Sequence, residues 1–207
     1  MLKLVSSTCR PDITIKPTVD LNFVNYFNQQ LLIAMPGMAD PNFNRGVTLM
    51  CQHTQDGALG ITINRHSDLT LKDVLNQLDI DCDDPEIVDQ PVFEGGPVQQ
   101  ERGFVLHTPA GRWESTSAVA PDIFITTSRD ILEAIAQSRG PEKFLVALGY
   151  AGWSAGQLED ELKENAWLNT SADSGIIFDA PINDRWSAAV ESLGIEASML
   201  QPLGGHA

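Results

Sequence analysis

Leu31-Leu32-Ile33-Ala34-Met35 is an unbroken apolar run stopped by Pro36-Gly37, the pattern of a buried strand ending in a turn. Before it, residues 1–22 mix Pro, Thr, Asp and Lys with no helical period and predict a loosely ordered arm. After it, residues 46–53 and 59–64 are rich in β-formers and flank Gln55-Asp56-Gly57. Glycine accepts the positive φ of a tight turn, so these two segments predict a hairpin. Leu71, Val74, Leu75 and Leu78 recur at i, i+3, i+4 and i+7, which predicts an amphipathic helix over 70–78 with Thr70 as N-cap. Residues 91–93 and 103–107 are expected to pair as strands across Glu94-Gly95-Gly96-Pro97, and 123–126 is another strand. Ser128 is the expected cap of a helix carrying Ile131, Leu132 and Ile135, ended by Gly140-Pro141. Residues 144–149 predict a strand, 154–164 a helix with Ser154 and Gln157 at capping-box spacing, and 176–178 a short strand. The last helix is expected over 186–193, with Trp186, Ala189, Val190 and Leu193 inward. Hairpins mixed with isolated helices, without repeat or linker, predict one α+β domain over 23–203 and a short tail at 204–207.

Charge narrows the class of partner. The chain has 207 residues, 28 acidic against 13 basic, a net charge of −15, and 43% hydrophobic residues. That balance suits a globular domain, and the acidic excess repels phosphate backbones, so no direct nucleic-acid partner is expected. Cys9, Cys51 and Cys82 are odd in number and match no CxxC pattern, which predicts a reduced, cytoplasmic setting. Only Leu4-Val5 follows Lys3, far short of the roughly 7–15 apolar residues of a secretory signal. No apolar run approaches the roughly 20 residues of a membrane helix, so no membrane partner is expected.

Four sequence features bear on chemistry. Gly152-Trp153-Ser154-Ala155-Gly156 fits G-x-S-x-G between a predicted strand and helix, the setting of a nucleophile elbow. An elbow also needs an acid and a histidine downstream. Asp173, Asp179 and Asp184 qualify, but the one later histidine is His206, in a Gly-rich tail, and Ser154 equally serves as a helix N-cap. Residues 79–89 are densely acidic, yet Asp84 and Gln90 stand where a calcium loop requires Gly and Glu, so a solvated loop is expected. Cys51 and His53 at i and i+2 share a strand face, making Cys51 a redox candidate through a neighbouring imidazole. They lack the second ligand pair of a metal site, and no Walker or G-x-G-x-x-G loop is present, so neither a metal nor a cofactor is expected. The Glu94-Gly95-Gly96-Pro97 loop is either an anion-binding nest or a tight connection.

The stretch LLIAMPGMADPNFNRGVTLMCQHTQDGALGITINR at 31–65 resembles the AlgH/YqgE family of bacterial proteins. FEGGPV at 93–98, GFVLH at 103–107 and GYAGWSAGQLEDEL at 149–162 extend the resemblance in order along the chain. It implies a mixed fold with a bifurcated sheet partly closed into a barrel and surrounded by helices. It also implies a link to transcriptional regulation, without an established catalytic mechanism. The family pattern falls on Arg45, His53, Asn64, Arg65, Gly95, Gly96, His107, Trp153, Gln157 and Glu161, which become the ligand-binding candidates. The Ser154 position varies in that pattern, and Gln52 and His66 stand where the family usually has Glu and Pro. The expectation is a non-catalytic binding or regulatory protein. Its pocket would be built from the Arg45 loop, the Gly95-Gly96-Pro97 loop and residues 153–161, acting through a small molecule or protein partner. The alternative is a hydrolase, acting through Ser154 or on phosphorylated small molecules.

Overall fold

A computed structural model describes residues 26–200; the expected arm at 1–22 and tail at 204–207, with Cys9 and His206, lie outside the described residues. In chain order the elements are β1 (Gln30–Ala34), β2 (Val47–Thr54), β3 (Gly57–Thr62), β4 (His66–Thr70), α1 (Leu71–Gln77) and α2 (Pro85–Val88). There follow β5 (Pro91–Glu94), β6 (Val98–His107), β7 (Thr116–Ala120), β8 (Ile123–Thr126), α3 (Asp130–Ala136) and β9 (Phe144–Ser154). The chain closes with α4 (Gln157–Lys163), β10 (Trp167–Ser171) and α5 (Arg185–Glu191).

Strand β9 organises the sheet. Its first half lies between β5, which runs parallel to it, and β6, which runs antiparallel. Its second half, Ala151–Ser154, pairs antiparallel with β3. The sheet therefore forks: one branch continues through β3, β2, β1 and β10, and the other through β5 and β4. On the far side of β9 come β6, β8 and β7. The sheet curls until its β7 edge approaches β2, giving a half-barrel.

The fork corrects the expected pairing of residues 91–93 with 103–107: β5 and β6 flank β9 instead of each other. Their connection passes directly over the β9 backbone. A Cβ on Gly95 would stand 2.3 Å from the Gly149 carbonyl oxygen, and one on Gly96 2.2 Å from the Tyr150 carbonyl carbon. Gly149 has φ +72° at the same crossing. Three glycines thus permit one backbone to cross another at contact distance, a demand that adjacent-strand reasoning does not anticipate.

Strand alternation separates the core into layers. Phe104, Leu106, Leu145 and Ala147 point into the half-barrel with Leu31, Ile33, Leu49 and Ile61, where α5 closes it with Trp186, Ala189 and Val190. Val105, Val146 and Val92 point outward under α1 and α3, which cover them with Leu71, Val74, Leu75, Ile131, Leu132 and Ile135. Each such side chain contributes about 1.5–3 kcal/mol by leaving water, which holds seven-residue helices too short to persist alone. Thr70 starts α1 as expected: its N–H and hydroxyl both donate to the Asp73 carboxylate, at 2.8 Å each.

Four local readings need correction. Strand β9 extends through Ser154, so α4 begins only at Gln157, after Gly156 at φ +78°. Residues 176–178 belong to a π-helical turn (Gly175–Asp179), because the Asp173 carboxylate accepts from Gly175 N–H and Ile176 N–H and starts a helical turn. Helix α3 ends at Ala136, before Gly140, and is entered through Ser128, whose hydroxyl accepts from Ser115 N–H and donates to Asp130. The acidic stretch contains a short helix, α2, capped by Asp84.

Candidate functional site

The chain from β1 to β2 ends at Arg45 with φ +52°, and Asn64 holds it there. The Asn64 side-chain amide donates to the Arg45 carbonyl and its oxygen accepts from Val47 N–H, each at 2.8 Å. One side chain thereby continues the ladder where β2 and β3 diverge and presents Arg45 outward. The Arg45 guanidinium lies over the Trp186 indole of α5, 5.0 Å from the ring centre, a cation–π contact. Beside it Arg65 donates through Nη2 to the Asn44 carbonyl at 2.6 Å, while its Nε is buried with no hydrogen-bond partner among the described residues. These groups and Ser187 line an open cleft of about 440 Å³.

Arg185, next to Trp186 on α5, is buried behind this region. Its Nε donates to Ala180 O at 3.1 Å, its Nη1 donates to Ile63 O, and its guanidinium lies over Phe93. Burial pushes its pKa down to about 10. Among the described residues the ion pairs are Arg129–Glu133, Lys143–Asp179 and Lys163–Asp160, while Glu159 lies in hydrogen-bond reach of His53. None neutralises Arg45, Arg65 or Arg185, despite the net −15 of the chain. An arginine fork with a buried, unsatisfied N–H fits a carboxylate or phosphate oxygen.

The expected composite pocket does not form. Arg45, Asn64 and Arg65 meet at the cleft, but Gly95 and Gly96 are pressed against β9, with Gly95 N–H donating to Leu148 O. Trp153, Gln157 and Glu161 form a separate, closed network. The Glu161 carboxylate accepts from Trp153 Nε1 at 2.9 Å, Trp167 Nε1 at 2.7 Å and Gln157 Nε2 at 2.9 Å. Phe43 packs on both indoles. Glu161 thus ties β9, α4 and β10 together, with its oxygens occupied.

The histidines are occupied as well. His53 is buried: Nδ1 accepts from Phe27 N–H and Nε2 lies 3.0 Å from Glu159, fixing the segment before β1 to β2 and α4. His107 is buried on β6, with Nδ1 at 2.8 Å from Thr108 O and Nε2 at 2.9 Å from the Thr126 hydroxyl. Ser154 ends β9 opposite Gly57, and its N–H donates to Gln157 Oε1. The G-x-S-x-G stretch is therefore the end of a strand, and the left-handed turn falls at Gly156 instead of at the serine.

Cys51 and His53 do not share a face. The β2–β3 register shifts between Met50 and Gln52, so Cys51 is the extra residue of a bulge. Cys51 joins the core inside the half-barrel, whereas His53 stacks on Phe27, which packs with the Trp153 cluster. The imidazole on which a reactive thiol was expected lies across the sheet, and burial pushes the Cys51 thiol up to about 12.

Sequence pattern did not reveal Trp186 or Arg185 as parts of the arginine region. Trp186 reads as one of four inward apolar positions, and its place under Arg45 is set only when α5 closes the half-barrel. The one sequence signal is a charged residue, Arg185, directly beside that apolar stripe.

Comparison with known proteins agrees with this architecture. A model of the family described as AlgH-like matches residues 31–198. A UPF0301 protein of Thioalkalivibrio sulfidiphilus is 54% identical over 190 residues, spanning 92% of this chain and 100% of the relative. One from Nitrosococcus oceani is 53% identical over 182 residues, spanning 88% and 97%. The solution structure of the AlgH protein from Pseudomonas aeruginosa superposes with a TM-score of 0.73 at 46% identity, covering 91% of this chain and 100% of that one. A Corynebacterium diphtheriae protein, DIP2367, shares the fold with a TM-score of 0.64 at 21% identity, covering 86% and 88%. No helix among the described residues is long and apolar enough to cross a membrane. Matched across most of its length by the family pattern and by relatives half identical to it, the chain belongs to the AlgH-like family.

Proposed function

We propose that this protein is a non-catalytic binding protein whose Arg45–Arg65 cleft takes a small molecule bearing a phosphate or carboxylate group. The observation that carries the reading is a cleft whose arginines, Arg45 and Arg65, meet no carboxylate among the described residues, with the Arg65 Nε–H buried and unpartnered among them. The Trp186 ring under the Arg45 guanidinium holds that fork in place for the ligand's anion. The lining offers amide, hydroxyl and guanidinium groups and, among the described residues, neither imidazole nor carboxylate to act as a general base. This supports binding over hydrolysis of a phosphorylated compound. A regulatory output then runs through the bound ligand or a protein partner, because the net charge opposes docking on nucleic acid. The free Cys51 and Cys82 support a cytoplasmic setting.

A thermal-shift screen of sugar phosphates, nucleotides and carboxylates against their neutral analogues tests the reading. A ligand at 100 times its Kd adds about 2.7 kcal/mol, or roughly 5–10 °C for a domain of this size. Arg65→Gln is expected to weaken binding by about 10–100-fold, the loss of a charge-assisted hydrogen bond. Stabilisation that persists undiminished in Arg65→Gln and Arg45→Ala places the ligand elsewhere and removes the proposal.

A further inference from the structure

On β6 the residues Arg102, Phe104 and Leu106 follow the two-residue period of a strand, and Phe104 and Leu106 lie in the core inside the half-barrel. Arg102 is thus a cation on an apolar face. Its guanidinium lies over the Phe104 ring at 5.1 Å, and its Nε is buried without a hydrogen-bond partner among the described residues. The cause is local: the β6–β9 register breaks between Val98 and Gly103, releasing this stretch from the ladder, and Gln99 sits at φ +48°. A buried guanidinium N–H without an acceptor is costly unless something supplies one.

The space in front of Arg102 is where the sheet fails to close. Strand β7 pairs with β8 and approaches β2 without a ladder between them. The gap is a cavity of about 300 Å³, room for about ten non-hydrogen atoms at the roughly 30 Å³ a water molecule occupies in the liquid. Its walls divide by chemistry. Leu59, Phe104 and Ile125 are apolar, while Gln52, Arg102 and Thr127 are polar. The Cys51–Gln52 bulge places both of those residues on this side too, so two separate irregularities of the ladder, in β2 and β6, face one space.

We propose that the mouth of the half-barrel is a second binding site, taking a small molecule that joins one carboxylate to an apolar body. Arg102 is its anion receptor and Phe104, Leu59 and Ile125 receive the body. A single arginine, with Glu114 also on the lining, matches one negative charge better than the two of a phosphate. The site is separate from the Arg45–Arg65 cleft and shares no lining residue with it.

Amide chemical-shift titration of the full chain tests this, with benzoate as the probe and benzamide and inorganic phosphate as controls. Benzoate is expected to shift Gln52, Phe104 and Thr127 saturably with a Kd of about 1 mM, ordinary for so few atoms. Benzamide and phosphate are expected to bind at least about 10-fold more weakly. Arg102→Gln removes the benzoate response and Arg45→Ala leaves it intact. Should Arg102→Gln not fold, Arg102→Lys keeps the charge without the fork, and benzoate affinity is expected to fall by about 10-fold. At these amides, absence of saturation, equal binding of benzamide, preference for phosphate, or an unchanged response in the Arg102 variant each overturns the proposal.

Discussion

Asn64 shows how one side chain can set a site it does not itself supply with charge. Its amide bonds both sides of the point where β2 enters the sheet, so Asn64→Asp, which turns the donor to the Arg45 carbonyl into a second acceptor, is expected to destabilise by about 1–3 kcal/mol. Urea unfolding measures the loss, and ligand affinity at the cleft should fall with it, because Arg45 loses its fixed backbone. His107 makes a different kind of statement. Burial holds its pKa below the ordinary 6.5, its bond to Thr108 O only partly opposing this. The unfolded chain therefore takes up this proton first. The contribution of neutral His107 is intact above about pH 6.5 and is lost as pH falls toward the folded value, at no more than about 1.4 kcal/mol per pH unit. Comparing urea midpoints at about pH 7.5 and 5.5, wild type should lose more stability than His107→Gln; equal losses contradict the assignment. Arg45, Asn64 and Arg65 were legible in the sequence as polar matches to a family pattern. The silence of Arg65 Nε was not, since an unsatisfied donor exists only once its surroundings are built.

Elements in which periodicity and capping agree were readable before folding: β1, the β2–β3 hairpin, α1 and α5 lie close to their expected spans. Short, half-exposed strands such as β4 and β10 were not, because alternation over five residues at the rim of a sheet carries little signal. The bulge at Cys51 illustrates a second limit. One extra residue turns His53 to the opposite face, so an i, i+2 argument that holds for a regular strand fails here. The crossing over β9 is the third. Gly149→Ala combines a positive φ with a Cβ 2.4 Å from Gly96 O, and a loss of several kcal/mol, on the order of 3, is expected. Little expression or a collapsed thermal transition would fit; a variant within about 1 kcal/mol of wild type would mean that the crossing relaxes easily.

At the scale of the molecule, a single forked and curled sheet separates three jobs that the sequence pattern had merged. The Glu161 network ties β9, α4 and β10, the glycine crossing sets the fork, and the arginine cleft opens where α5 meets the β1–β2 loop. The acidic surface sharpens the contrast, since arginines that meet no carboxylate among the described residues, in a chain of −15, form a region suited to concentrate an anion. Arg65 Nε–H is the donor proposed to meet such an anion. The most direct measurement follows the arginine Nε–Hε resonances by NMR as inorganic phosphate is added. A saturable downfield shift and slowed solvent exchange are expected at Arg65, with its neighbour Arg45 responding and Arg129 unmoved. An Arg65 resonance that stays in place while phosphate saturates another arginine, or while none saturates, contradicts the proposal.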